Sequence, residues 1–198
     1  MIEVRTARPE DATAILGIYA PYIHNTVFTF ETEVPSVEDF SRRITNCLDR
    51  FPWLVLTVNG KVEGYAYASA YRDRAAYQWS CECSIYFGKV LKGKGAGFHL
   101  YQALFRILQW QGIRNVYAVI TLPNEPSVRL HQKCGFQYLV TYDNVGYKGG
   151  WQKVGWWSLR LNDFIPDPPP PVKFSQLDEQ KVHQLLGETT AMLSSISG

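Results

Sequence analysis

The sequence predicts an α+β protein built on a mixed sheet, and three observations carry that expectation. Strand-like and helix-like segments follow one another without the strict alternation of a doubly wound fold. One pair of strand patterns, Trp53–Val58 and Val62–Tyr71, flanks Asn59-Gly60, the strongest short hairpin signal. A third segment, Asn115–Ile120 ("NVYAVI"), is short and nearly all apolar, as expected of a strand covered on both faces.

Taken in order, Ile2–Ala7 alternates as a strand. Pro9-Glu10-Asp11 then opens a helix whose acidic first turn suits the helix dipole. Ile15, Leu16, Ile18 and Tyr19 form its apolar side, and it ends near Asn25-Thr26. Val27–Thr32 ("VFTFET") has β-like composition, and Ser36 caps a second helix to Asp49. After the hairpin, Tyr77–Phe87 reads as a strand leading into Lys92-Gly93-Lys94-Gly95-Ala96-Gly97. From Ala96 a helix runs to about Gln111, with Leu100, Tyr101, Leu104 and Leu108 at helical spacing. Asn124–Cys134 is a short helix that Gly135 terminates. Phe136–Asn144 and Gln152–Leu161 are two further strands joined through "GYKGG".

The texture changes after Asn162. "IPDPPPPVKF" excludes helix and strand and reads as an extended polyproline segment. Ser175–Ser195 then has an amphipathic helical pattern with Leu177, Val182, Leu185, Leu186, Met192 and Leu193 as its apolar positions. The expected organisation is a catalytic-size domain over 1–163, a proline-rich linker over 164–174 and a helix or tail over 175–198. That tail is expected to pack on its own domain or across a dimer, with recruitment of another protein as the competing reading.

With 20 Lys and Arg against 18 Asp and Glu, the net charge of +2 gives no case for nucleic acid or an anionic membrane. Any anion recognition is local. The four cysteines form no CxxC pair and the histidines lack zinc spacing, so no metal site is expected. The N-terminus lacks a secretory pattern and no apolar run reaches membrane-spanning length, which points to the cytoplasm.

The glycine-rich turn between a strand and a helix has the form of an anion cradle. Its backbone N–H groups lie close to a helix N-terminus. It is neither a Walker loop, which needs Lys-Ser or Lys-Thr after its glycines, nor a Rossmann turn, whose third glycine would stand at Phe98. A plain glycine turn is the competing reading, and two other segments bear on the choice. In "YQWSCECSIYF", Trp79, Cys81, Cys83, Ile85 and Phe87 face one side, while Ser80, Glu82, Ser84 and Tyr86 face the other. A carboxylate mid-strand is out of place in a covered sheet. On the short helix, Asn124, Ser127 and His131 share one polar stripe.

These residues carry a resemblance. The glycine turn between strand and helix, followed by a strand, an Asn-helix and "GF", resembles the GCN5-related N-acetyltransferase (GNAT) fold. That fold is a twisted mixed sheet of six to seven strands with about four helices, here followed by a C-terminal helix. "RAAYQWSCECSIYF", "AVITLPNEPSVRLHQKCGF" and "GYKGGWQKVGWW" are similar to phosphinothricin N-acetyltransferases, over roughly residues 2–165. The resemblance implies acetyl-CoA as cosubstrate, a small amino-acid-like amine as acceptor and a homodimer. It implies direct attack on the thioester, with a proton removed from the amine, an oxyanion stabilised and a thiolate released. It assigns Glu82 as base and His131 as acid or second base. Ile85, Tyr86, Phe87, Asn124 and Ser127 would align the pantetheine arm, an N–H near Phe87 would form the oxyanion hole, and residues 92–98 (Lys92 to Phe98) would hold the pyrophosphate. Arg72, Arg74, Tyr77, Phe30 and Lys148 would form the acceptor site, the arginines suiting a carboxylate or phosphinate. Lys92 stands where the family has Gln or Arg and lacks the planar arginine fork. Methionine sulfone or sulfoximine is the alternative acceptor, and a non-catalytic acyl-CoA-binding module is the rival class.

Overall fold

The computed structural model describes residues 1–91 and 95–196. One seven-stranded sheet runs through the molecule in the order β1-β2-β3-β4-β5-β7-β6. Its strands are β1 (Ile2–Thr6), β2 (Trp53–Val58), β3 (Lys61–Ala70), β4 (Ser80–Phe87), β5 (Asn115–Leu122), β6 (Gln137–Tyr147) and β7 (Trp151–Arg160). All neighbours are antiparallel except β4 and β5, whose parallel pairing makes the sheet mixed, as expected from the sequence. The helices are α1 (Ala12–Asn25), α2 (Val37–Arg50), α3 (Ala96–Gln111), α4 (Glu125–Lys133) and α5 (Glu179–Ile196).

The sheet separates two cores. On one face α1 and α2 bury Ile15, Tyr19, Ile23, Phe40 and Ile44 against Trp53, Val55 and Tyr65. On the other, α3 lays Leu100, Leu104, Ile107 and Leu108 over Leu54, Leu56, Cys81 and Val116. The alternation of β4 explains the division, because Cys81 and Cys83 belong to the α3 side and Glu82 does not. Ser36 caps α2 by accepting from the Asp39 N–H at 3.0 Å, as its position before the acidic first turn predicts. Gly95 (φ +79°) and Gly112 (φ +85°) bracket α3 in the left-handed region that a Cβ disfavours.

Two elements differ from the sequence-based expectation. Val27–Thr32 is not a strand. The Thr29 hydroxyl hydrogen-bonds the Tyr19 hydroxyl at 2.6 Å, and Thr26 Oγ1 donates to the Tyr22 carbonyl and accepts from the Phe28 N–H. Local side-chain bonds of this kind compete with ladder formation. The strand expected from Tyr77 begins at Ser80, because Ala75–Tyr77 closes into a 3₁₀ turn.

The C-terminal segment straps back over the domain. The Trp79 indole donates to the Pro169 carbonyl at 2.9 Å, and Gln111 Nε2 donates to Val172 O at 2.8 Å. Helix α5 then inserts Val182, Leu186 and Leu193 into the α3-side core. Thr190 Oγ1 also accepts from the Val4 N–H of edge strand β1 at 2.8 Å. Among the described residues, no helix is long and apolar enough to cross a membrane.

Candidate active site

Strands β4 and β5 are in register only at Ser80–Asn115, Cys81–Val116 and Glu82–Tyr117. Beyond that point both strands continue, to Phe87 and to Leu122, but they no longer pair with one another. The gap is a cleft of about 800 Å³ lined by Cys83–Phe87, Ala118–Thr121, the start of α3 and the inner face of α4. Glu82 is the last residue of β4 paired with β5 and stands at the apex of the split.

The phase of the β3–β4 ladder determines which backbone groups face the cleft. The Gly88 N–H donates to the Glu63 carbonyl at 2.8 Å, and Gly64 lies opposite Phe87. Hydrogen-bonded and non-hydrogen-bonded pairs alternate along an antiparallel ladder. Phe87, Ile85 and Cys83 therefore turn their N–H and C=O away from β3 and into the split, whereas Tyr86 and Ser84 spend theirs on β3. The Tyr22 hydroxyl takes the Phe87 carbonyl at 2.9 Å. Of the three residues expected to align a pantetheine arm, Ile85 and Phe87 offer backbone groups. Tyr86 instead offers its ring, packed against Tyr19, Tyr22 and Tyr65.

The far end of the cleft is the start of α3. A Cβ added at Gly97 would come within 3.0 Å of the Leu130 side chain and 3.3 Å of Phe87, so glycine lets α3, α4 and β4 converge here. Gly95, Gly97 and Phe98 line the cleft, with Ala96 buried beneath them. Lys92, Gly93 and Lys94 lie outside the described residues. Across the cleft Asn124 caps α4, its Oδ1 accepting from the Ser127 N–H at 3.4 Å. Its Nδ2 makes no hydrogen bond among the described residues and is the donor left for a ligand. His131 is buried, and its Nδ1 lies 2.8 Å from the Ser127 carbonyl and its Nε2 3.1 Å from the Tyr101 hydroxyl. Burial lowers its pKa to about 4.

Glu82 faces the opposite side of the sheet. Burial raises its pKa above the usual carboxylate range, with Arg72 pulling the other way. Among the described residues no hydrogen bond holds its carboxylate. Its in-register neighbour Tyr117 stacks on Tyr71 at 4.6 Å, and Trp156 and Tyr77 meet Tyr71 edge-on at 6.1 and 5.7 Å. The Arg72 guanidinium lies 4.7 Å from the centre of the Tyr71 ring. Arg72 and Tyr77 thus belong to Glu82's surroundings, while Arg74 is exposed at the cap of the 3₁₀ turn. Phe30 and Lys148 come together on another edge. The Phe30 ring lies against Gly146, and Lys148 Nζ donates to the Thr29 carbonyl at 2.9 Å. Among the described residues no contact joins them to Glu82.

Sequence reasoning missed Tyr22, Tyr71, Tyr101 and Tyr117. Tyr101 carries only a core signal in its helical spacing. Tyr71 and Tyr117 approach Glu82 solely through strand register, which is a long-range property.

Two features of the cleft fit acetyl-CoA. The N–H and C=O of Ile85 and the N–H of Phe87, all turned away from β3, match an amide-bearing arm, and the Gly95–Gly97 start of α3 suits a pyrophosphate. Comparison with known proteins agrees. The acetyltransferase (GNAT) domain family matches residues 4–152. The phosphinothricin N-acetyltransferase of Streptomyces viridochromogenes is 39% identical over 87% of this chain and 93% of its own. The L-methionine sulfoximine/L-methionine sulfone acetyltransferase of Pseudomonas aeruginosa is 31% identical over 80% of this chain and 94% of its own. The crystal structure of a GNAT phosphinothricin acetyltransferase from Sinorhizobium meliloti, in complex with acetyl-CoA, superposes with a TM-score of 0.80. It has 30% identity and covers 87% of this chain and 98% of that one. The fold and the split sheet define an acetyl-CoA-dependent N-acetyltransferase. Within that class, the chain belongs to the phosphinothricin N-acetyltransferase family of the GNAT superfamily.

Proposed function

We propose that the protein acetylates the amino group of phosphinothricin or a closely related amino-acid analogue, methionine sulfoximine and sulfone included. The observation that carries this reading is the position of Glu82 at the apex of the split, between the cofactor side and the acceptor side of the sheet. Acetyl-CoA bound along the cleft supplies an activated acetyl group. Ile85 and Phe87 hold the arm through their backbone groups, and an N–H that β4 turns into the cleft serves the oxyanion that develops. Asn124 Nδ2 adds a donor from the other wall.

On the opposite face the acceptor amine meets Glu82. An α-amine is mostly protonated at neutral pH and needs a base before it attacks. The raised pKa of Glu82 brings its proton affinity closer to that task. The Arg72 guanidinium, resting on Tyr71, would receive an acidic group of the acceptor in a bidentate manner, and its contact with the ring beside Glu82 supports that role. A thiol-release assay over phosphinothricin, methionine sulfoximine, methionine sulfone and glutamate tests the reading. The first three are expected to turn over faster than glutamate. Turnover on none of them sinks the acceptor assignment.

A homodimer and a cytoplasmic location belong to the same reading. Edge strand β6 is exposed along most of its length, with Tyr138, Leu139, Tyr142, Val145 and Tyr147 at half exposure or more. An apolar edge of this kind invites a second copy. Light scattering is expected to give twice the chain mass, and Tyr147→Glu with Trp151→Glu is expected to halve it. A wild-type chain of monomer mass removes the dimer from the proposal. Cys81, Cys83 and Cys134 are buried as free thiols, in keeping with a reducing compartment.

A further inference from the structure

The cleft contains a polar contact between α3 and α4 to which the family reading gives no role. Tyr101, fully buried on α3, reaches His131 on α4 through its hydroxyl at 3.1 Å from Nε2. On the other side of the ring, His131 Nδ1 lies 2.8 Å from the Ser127 carbonyl. A carbonyl only accepts, so the ring proton is on Nδ1 and the lone pair on Nε2. The Tyr101 hydroxyl donates into that lone pair. Phe136 meets the ring edge-on at 5.1 Å, and the Ser127 hydroxyl lies 3.3 Å from Nδ1.

We propose that Tyr101 is a positioning residue of the acetyl-CoA cleft, which bolts α3 to α4 through a neutral His131 held as its Nδ1–H tautomer. The bolt lies between the two groups that would hold the cosubstrate. One and a half turns before Tyr101 is the Gly95–Gly97 start of α3, and one turn before His131 is Ser127, whose N–H is capped by Asn124. Two other contacts support the same joint: Leu130 against Gly97 and the Lys133 ammonium over the Phe98 ring at 4.9 Å. Those contacts are apolar or exposed and tolerate sliding. The Tyr101–His131 bond is directional and buried, so it sets the width of the cleft. His131 has both nitrogens committed and no proton at Nε2 to give a thiolate. The low pKa that burial imposes on the ring is consistent with this state.

The inference rests on acetyl-CoA occupying the cleft, and its tests do not depend on which amine is acetylated. In the ¹⁵N-histidine-labelled chain, the His131 ring is expected to appear as the neutral Nδ1–H tautomer, without titration between about pH 5.5 and 8.5. Tyr101→Phe removes the hydroxyl that His131 and the Cys83 thiol share, without changing shape. It is expected to weaken acetyl-CoA binding by calorimetry about tenfold, while kcat at saturation stays within about threefold. His131→Gln keeps an acceptor for Tyr101 and a donor for Ser127, and is expected to retain kcat within about tenfold. The proposal is overturned by a His131 that titrates across the activity profile, or by a Tyr101→Phe chain that binds acetyl-CoA like wild type. It is equally overturned by a His131→Gln chain that loses about a thousandfold in kcat at unchanged KM, the signature of an acid acting in the transition state.

Discussion

Glu82→Gln is expected to lower kcat by about 10²–10⁴-fold at saturating acceptor and acetyl-CoA, the range over which positioned general bases act. The amide preserves the size of the side chain and cannot take the amine proton. KM for acetyl-CoA is expected to stay close to wild type, because Glu82 faces the acceptor side of the sheet and the cofactor groups lie on the other. The pH profile of the wild-type enzyme is expected to carry the same signature. Activity rises as Glu82 ionises, and burial places that ionisation above the usual carboxylate range. Stability moves the opposite way. A carboxylate whose folded pKa exceeds its unfolded value contributes stability that is complete below the unfolded pKa and lost as pH rises through the folded one. Glu82→Gln is therefore expected to raise Tm relative to wild type at neutral pH, with the gain disappearing in mild acid. A variant with near-wild-type kcat removes Glu82 from the chemistry. A variant that loses kcat but shows no pH-dependent gain in Tm keeps the base role and contradicts the burial argument.

That trade of stability for a proton acceptor also explains why the site was partly legible before the structure. Strict alternation along Trp79–Phe87 marked Glu82 as a polar residue at mid-strand, and a local period of two is enough to show it. The stripe Asn124–Ser127–His131 was legible for the same reason, since helical spacing is local. What those residues do inside the cleft was not legible. Ile85 and Phe87 differ from Tyr86 only through the phase of the β3–β4 ladder, which depends on residues about twenty positions away in the chain. The partner that His131 Nε2 meets in the cleft is Tyr101, thirty residues upstream. Val27–Thr32 shows the converse error. Its β-like composition was overridden by Thr26 and Thr29, which bond to a neighbouring helix and its own backbone. Fold class needed only the order of elements, and so it was legible. The split between β4 and β5 needed their pairing to stop at Glu82 and Tyr117, and no residue pattern in either strand announces that.

The C-terminal helix presents the clearest case of a pattern whose partner the sequence withheld. Its apolar spacing fits equally a helix that docks on its own domain and one that recruits another protein. In the structure Val182, Leu186 and Leu193 are 5%, 4% and 3% exposed and share a core with α3, so these side chains are fully committed. Replacing a buried Leu by Ala typically costs about 2–5 kcal/mol. Loss of all three apolar contacts together approaches the whole stability of an ordinary domain, about 5–15 kcal/mol. Removing α5 also uncovers the Val4 N–H, which Thr190 satisfies at the edge of the sheet. A chain ending at Phe164 is therefore expected to lose its cooperative thermal transition or to aggregate. Leu186→Ala in the full chain is expected to lower the free energy of unfolding by about 2–4 kcal/mol, measured by denaturant titration. Met192, more than half exposed on the same helix, is the internal control, and Met192→Ala is expected to stay within about 0.5 kcal/mol of wild type. Equal and small effects at Leu186 and Met192 would instead mark α5 as a loosely held appendage, free to serve a partner. A difference of the expected size makes the helix part of the domain, and ties the support of α3 to a segment that begins beyond the proline run.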